Sequence, residues 1–119
     1  MSDRETDGIE TDGSDSGRVV VGGTDEYDIT AAIDAEGFTV SLVDVANRPA
    51  LEDAGIVDAH TYVLTEVQQA TSIPVAKDLN PDLKVVVYAD GSLPDFARGQ
   101  ADLLLDPDLF EPADVAAEL

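Results

Sequence analysis

The chain alternates continuous apolar runs with segments whose apolar residues recur at helical spacing. The runs 19–21, 62–64 and 85–88 consist of β-branched, aliphatic or aromatic residues and are only a few residues long. Such runs are typical of strands that are buried on both faces of a sheet. The segments between them carry an apolar residue at about every third or fourth position, as amphipathic helices do. Repeated alternation of strand and helix predicts a parallel sheet with right-handed crossovers.

Clusters of glycine, proline, asparagine and aspartate separate these segments and set their expected boundaries. We predict five strands, at 18–22, 38–43, 60–65, 83–89 and 101–105. We predict five helices, at 27–36, 50–54, 66–79, 93–100 and 112–119. The expected fold is therefore a three-layer α/β domain, with a five-stranded parallel sheet and helices on both of its faces.

The segment 66–79 has two interpretations. It is either one helix, with Thr65 as its N-cap and a kink at Pro74, or an irregular loop over 66–71 followed by a helix that starts near Ser72. In the second interpretation Pro74 lies in the first turn of the helix. The loop would then directly follow the carboxyl end of a strand, where α/β proteins bind ligands.

The charge of the chain is extreme. Its 119 residues contain 26 acids and 6 bases, which gives a net charge of −20. Such a surface repels nucleic-acid phosphates and anionic lipid, so we expect neither as a partner. Abundant aspartate with scarce lysine resembles the proteins of extreme halophiles, in which concentrated salt screens the repulsion. The alternative is an acidic protein that has a basic partner.

Composition also indicates how the chain is organised. The acidic, glycine- and serine-rich segment 1–17 predicts a disordered tail, and 18–119 a single Rossmann-like domain. The chain has no cysteine, which excludes disulfides and cysteine-ligated metals. No apolar run approaches the roughly 20 residues that span a bilayer. The acidic start of the chain is unlike a signal peptide, so we expect a cytoplasmic protein with no membrane insertion.

Several short sequence motifs resemble those of a known protein family. They are LEDAGI (51–56), VDA (57–59), AKDLNPDLKVVVYA (76–89) and ADLLLDP (101–107). Together with the strand that ends at Thr65, they resemble the N-terminal nucleotide-binding domain of potassium-uptake regulators, the TrkA-N or RCK family. The resemblance implies a Rossmann-type fold, binding of NAD(H) or an adenine nucleotide, and dimers or rings that regulate potassium transport.

The chain departs from that family at the glycine-rich turn. The family has three glycines that let the backbone meet a pyrophosphate, whereas Gly22-Gly23-Thr24 is followed here by Asp25, Glu26 and Asp28. Acids at a helix N-terminus repel a phosphate. The chain from Asp44 to Leu51 is also too short for the family's next helix and strand. Loss of that unit predicts sheet order 2-1-3-4-5, with a truncated Rossmann order, 3-2-1-4-5, as the alternative.

Candidate cofactor-binding residues lie at the expected carboxyl edge of the sheet. Asp44 ends the second strand, where a Rossmann acid holds a ribose hydroxyl, and Arg48 in the next loop could contact an anion. Polar residues after strand three, including Gln68, Gln69 and Thr71, belong to the same edge. The full candidate set is Gly22, Gly23, Thr24, Asp44, Arg48, Thr65 and Glu66. The alternative interpretation is that these are a solvent-facing acid and a polar loop.

No set of residues predicts catalysis or a metal site. His60 is the only histidine, and a lysine that would end strand five in a receiver-type phosphoacceptor is missing. The chain as a whole also resembles small uncharacterised haloarchaeal proteins, some labelled CTP synthase, but it lacks the cysteine, the phosphate loop and the length for that activity. We therefore expect a non-catalytic binding or regulatory module with a degenerate nucleotide site, dimerising through the apolar edge left by the missing unit. The alternative is a small enzyme or accessory subunit of nucleotide or cofactor metabolism.

Overall fold

The computed structural model describes residues 17–25 and 27–119. The predicted acidic tail, apart from Gly17, and the acid Glu26 lie outside the described residues. The strands are β1 Arg18–Gly22, β2 Thr39–Val43, β3 Thr61–Leu64, β4 Lys84–Tyr88 and β5 Leu103–Leu105. All neighbouring pairs are parallel, and the strand order is 2-1-3-4-5. The α/β fold is thus confirmed, and the first of the two predicted strand orders is the one observed.

Five α-helices cover the sheet. They are α1 Ile29–Ala35, α2 Arg48–Asp53, α3 Ser72–Leu79, α4 Asp95–Arg98 and α5 Pro112–Ala117. Two short 3₁₀ turns, Ile56–Asp58 and Val67–Gln69, lie between them. The buried residues of α1 and α5 pack on one face of the sheet, and those of α2, α3 and α4 pack on the other. This arrangement forms the three predicted layers.

The central strand β1 explains why the apolar runs are continuous. Val19, Val20 and Val21 are all fully buried. Val20 faces the α2–α3–α4 layer, whereas Val19 and Val21 face the α1–α5 layer. Because both faces are covered, every position from Val19 to Val21 is apolar.

The second interpretation of segment 66–79 is correct, and the single long helix with Thr65 as its N-cap is wrong. Residues 67–69 form a 3₁₀ turn, and α3 begins at Ser72. Pro74 therefore lies in the first turn, where backbone N–H groups have no partner within the helix and a proline costs little. Most other predicted elements extend one or two residues too far, and α2 begins two residues earlier than predicted because Asn47 caps it.

The sheet has two edge strands, β2 and β5, and the latter is only three residues long. Both carry an exposed leucine, Leu42 in β2 and Leu104 in β5. Within the described part of the chain, no helix has the length and apolar character needed to cross a membrane.

Candidate functional site

The candidate site lies between β1 and β3, where the strand order reverses. In open parallel sheets, ligands bind in the crevice at this topological switch point, beyond the carboxyl ends of the strands. Gly22 ends β1 and is paired with Leu64, the last residue of β3. The structure therefore brings the predicted residues Gly22, Gly23 and Thr24 next to Thr65 and Glu66.

The side chain of Thr65 closes this crevice from within. Its hydroxyl lies 3.1 Å from the carbonyl oxygen of Gly22 and 2.6 Å from that of Thr24, and the two oxygens share its single hydrogen as acceptors. The backbone N–H of Thr65 donates to the Gly22 carbonyl as well, at 2.9 Å. Thr65 is 2% exposed, so these bonds are shielded from water. The glycine turn after β1 is thus held against the end of β3 by the protein's own groups.

The two glycines make room for side chains of the same chain. A Cβ atom on Gly22 would overlap the hydroxyl of Tyr62 and lie 2.8 Å from its ring carbon Cζ. A Cβ on Gly23 would lie 2.5 Å from the Thr65 hydroxyl and 3.0 Å from Cγ of Glu66. Gly23 also has a φ of +108°, which disfavours any other residue. In a Rossmann turn such glycines admit a pyrophosphate, but here side chains fill the space.

Beneath the glycine turn, Tyr62 belongs to a buried chain of hydrogen bonds. Its hydroxyl is 2.8 Å from Oγ of Ser72, and the Ser72 hydroxyl donates to the carbonyl of Gln69 at 2.6 Å. Because the serine hydrogen is used in that second bond, the tyrosine donates to the serine. Burial raises the pKa of Tyr62 to about 12, against a smaller lowering by the bond to Ser72. The phenol is therefore a structural donor rather than an acid–base group near neutral pH.

The start of α1 is occupied by a carboxylate. Asp25 accepts a hydrogen bond from the backbone N–H of Thr30 at 3.2 Å and another from the Thr30 hydroxyl. Asp28, at the N-cap position, has a left-handed backbone with φ of 58°. The backbone N–H of Thr30, which a phosphate at the start of α1 would use, is thus already bonded to the carboxylate of Asp25. The negative charge of that carboxylate would repel a phosphate.

Gln69 links the loops after β2 and β3. Its amide oxygen accepts from the N–H of Ala46 at 2.8 Å. Its amide nitrogen donates to the carbonyl of Asp44 at 2.8 Å and to the carboxylate of Glu66 at 2.7 Å. Asp44 is therefore attached to this edge through its main chain, while its side chain is exposed.

Arg48 is not brought to the crevice. It lies in the first turn of α2, and its guanidinium forms an ion pair with Asp78 of α3 at 2.8 Å. Both side chains are largely exposed, so the pair contributes little to stability. Arg48 and Gln69 border a shallow depression of about 440 Å³ that lies beside the switch point.

Sequence reasoning had missed the contact between Gly22 and Tyr62 and the role of Ser72. A weak signal was present, because a tyrosine within a fully buried strand needs a hydrogen-bond partner.

The residue after β3 is Thr65 and the residue after β5 is Asp106, so the acid and the lysine of a receiver-type site are missing at these positions. No group of three or more His, Asp or Glu in residues 17–25 and 27–119 could hold a metal ion.

Comparison with known proteins gives a family and a structural relative. No curated protein matches the chain. A crystal structure of a protein described as pilus assembly-related, from Burkholderia pseudomallei K96243, superimposes with a TM-score of 0.60 over 85% of this chain and 84% of that one. Their sequences are 12% identical, so this similarity concerns the fold alone. Residues 19–119 match the model of a family of unknown function, DUF7126, and the chain belongs to that family.

Proposed function

We propose that this domain is a non-catalytic binding module that recognises another protein, and that its nucleotide-type site is degenerate. The observation that carries the proposal is the bridge from the Thr65 hydroxyl to the carbonyls of Gly22 and Thr24. It crosses the crevice in which related folds bind their ligands. A ligand there would have to break buried hydrogen bonds and separate β3 from the glycine turn.

Charge at the same crevice supports the proposal. A nucleotide phosphate would meet the carboxylate of Asp25, which already holds the N–H and hydroxyl of Thr30. It would also approach Glu66, whose carboxylate accepts from Gln69. The cation expected to help, Arg48, is instead paired with Asp78. Each of these features lowers the affinity for an anion.

The alternative, a small enzyme of nucleotide or cofactor metabolism, needs polar groups that converge on a substrate. The polar groups nearest the crevice bind one another instead: Thr65 binds main-chain carbonyls, and Tyr62 binds Ser72. We therefore favour a regulatory or scaffolding role that depends on binding alone.

We further propose that the domain works in a cytoplasm of high salt. Its net charge is −20, and ion pairs of the described residues involve only Arg48, Lys77 and Arg98. Most carboxylates in the described part of the chain thus have no cation beside them, and concentrated salt would screen their mutual repulsion. The midpoint of thermal unfolding should accordingly rise as KCl is raised from low to molar concentration.

Thermal unfolding in molar KCl with NAD⁺, NADH, NADP⁺, ATP, ADP and AMP tests the proposal. A ligand at about 100 times its dissociation constant stabilises a protein by about 2.7 kcal/mol, which is easily visible. We expect no shift of the unfolding midpoint with any of the six compounds. A shift with one of them that is reduced in an Asp44→Ala variant would contradict the proposal and show that the crevice binds a nucleotide.

A further inference from the structure

An apolar groove lies between β5 and α5, remote from the switch point. Leu103 and Leu105 of β5 form one wall, and Leu109, Phe110 and Val115 complete a depression of about 450 Å³. Leu109 is 77% exposed and its neighbour Phe110 is 41% exposed, so the apolar surface continues beyond the strand. On the other face of the same strand, Leu104 is 50% exposed. Apolar surface therefore borders the strand on both faces.

The main chain of β5 can accept another strand. The N–H of Asp102 donates to the carbonyl of Val85 in β4, so the backbone N–H and C=O of Asp102 are directed toward β4. Because these groups alternate in direction along a strand, those of Leu103 and Leu105 are directed away from β4. An edge with outward N–H and C=O groups is a template for pairing with an extended segment.

Charge around the groove selects the kind of segment. Residues 99–119 contain six acids and no base: Asp102, Asp106, Asp108, Glu111, Asp114 and Glu118. Asp114 and Glu118 line the groove itself. Side chains alternate between the two faces of a strand, so Asp102 and Asp106 lie on the face of Leu104, opposite the groove. An extended segment in which apolar and basic residues alternate would place its apolar side chains on the groove face and its cations beside Asp102 and Asp106.

We propose that β5 binds an extended segment of a partner protein in which apolar and basic residues alternate, added to the sheet as a sixth strand. This inference rests on the proposed function, since it names the surface and the chemistry of the partner. A second copy of the chain fits less well. Antiparallel pairing of two β5 strands about Leu104 would place Asp102 opposite Asp106 of the other copy, and facing like charges destabilise a strand pair.

The test uses a short acetylated peptide of alternating valine and lysine, labelled for fluorescence polarisation. Its affinity for the full chain is measured at the lowest KCl concentration at which the chain is folded. We expect saturable binding, and at least about tenfold weaker binding of a peptide in which glutamate replaces lysine. We also expect slower hydrogen exchange of the Leu103 and Leu105 amides in the complex, because strand addition would bond outward N–H groups.

Matched variants locate the site. Leu109→Ser and Leu104→Ser should each weaken binding of the valine–lysine peptide several-fold, whereas Leu42→Ser should not. Leu42 is a fair control because it lies on the opposite edge strand and is 51% exposed, as Leu104 is 50% exposed. Asp106→Asn should weaken binding of the valine–lysine peptide and leave the fold intact, because the amide oxygen can still accept the hydrogen bond from the N–H of Asp108. Thermal unfolding of each variant confirms that it is folded.

Three results would overturn the inference: no peptide binding, binding that the β5 variants leave unchanged, or a dimer in sedimentation equilibrium that Leu104→Ser and Leu109→Ser abolish. The last would mean that a second copy occupies the edge. These outcomes are separate from the nucleotide experiment. If no nucleotide stabilises the chain and the peptide fails to bind β5, the surface is wrong while the proposed function stands; a nucleotide-induced shift would refute that function whatever the peptide does.

Discussion

The hydroxyl of Thr65 lies 2.6 Å from the main-chain carbonyl oxygen of Thr24, and this contact joins two loops that are 41 residues apart in sequence. The two loops follow β1 and β3, the strands on either side of the switch point. A position that would face a ligand in an open crevice therefore stabilises the fold instead.

Replacing Thr65 by valine should lower the free energy of unfolding by about 1–2 kcal/mol. The substitution keeps the shape of the side chain but removes the donor to the carbonyls of Gly22 and Thr24. Thr65→Ser should retain most of the stability. Chemical unfolding in molar KCl measures both, with Thr71→Val as the control because Thr71 is exposed and makes no side-chain cap. Equal stability of Thr65→Val and the parent chain would show that the bridge is unimportant.

Gly22→Ala should destabilise the domain by about 2–3 kcal/mol, because the new methyl group would overlap the side chain of Tyr62. Gly99→Ala is the matched control, since a Cβ there meets no atom within 4 Å. Adding Tyr62→Phe to Gly22→Ala should recover part of the loss, because the hydroxyl overlap disappears while Cζ remains 2.8 Å away. Strictly additive effects in this double-mutant cycle would argue against the contact.

Stability should fall as the pH rises above 10, because the pKa of Tyr62 is raised from 10.0 to about 12 by burial. Below pH 10 both the folded and the unfolded states hold the phenolic proton, and the full stability is present. Between pH 10 and about 12 the unfolded state releases this proton while the folded state keeps it. Tyr62 alone should therefore remove about 3 kcal/mol across this interval.

Tyr62→Phe should flatten that part of the pH profile. Chemical unfolding curves collected from neutral pH upward check the prediction. Burial, followed by the neighbouring Tyr27, Glu111 and Asp114, raises the pKa of Tyr88 as well, so some alkaline loss should persist in the variant. An identical profile for the variant and the parent chain would show that Tyr62 does not titrate in this way.

Asp28→Gly should raise the free energy of unfolding by about 1 kcal/mol. Asp28 has a left-handed backbone with φ of 58°, which is strained for a residue with a Cβ and free for glycine. Asp34→Gly removes a carboxylate of the same charge from the last turn of α1, where the backbone is helical and glycine costs conformational entropy, and should lower stability. Thermal unfolding of the pair in molar KCl should thus move in opposite directions; a loss with both would contradict the prediction.

The layout of the sheet could be predicted because local pattern determines it. Val19, Val20 and Val21 form an apolar run that only a doubly covered strand explains. The short chain from Asp44 to Leu51 leaves no room for another strand, so β3 pairs directly with β1. Pro74 limits the start of α3 to one of the two predicted places.

The candidate site could be predicted only in part. That Gly22, Gly23, Thr24, Thr65 and Glu66 meet follows from strand order, because carboxyl ends of parallel strands lie at one edge. The direction in which the Thr65 hydroxyl points depends on a contact with Gly22 across 43 residues, which no local pattern encodes. The position of Arg48 away from the crevice could not be predicted for a similar reason, since its partner Asp78 lies 30 residues away on α3.

An amide NMR titration of the labelled chain in KCl would test most directly whether binding has moved from the switch point to the β5 edge. ADP, NAD⁺ and the valine–lysine peptide are added in turn, and each amide is followed separately. We predict that the nucleotides leave Gly22, Gly23 and Thr65 unshifted, while the peptide shifts and protects Leu103 and Leu105. Saturable shifts of the switch-point amides with a nucleotide, and none at β5 with the peptide, would contradict both proposals.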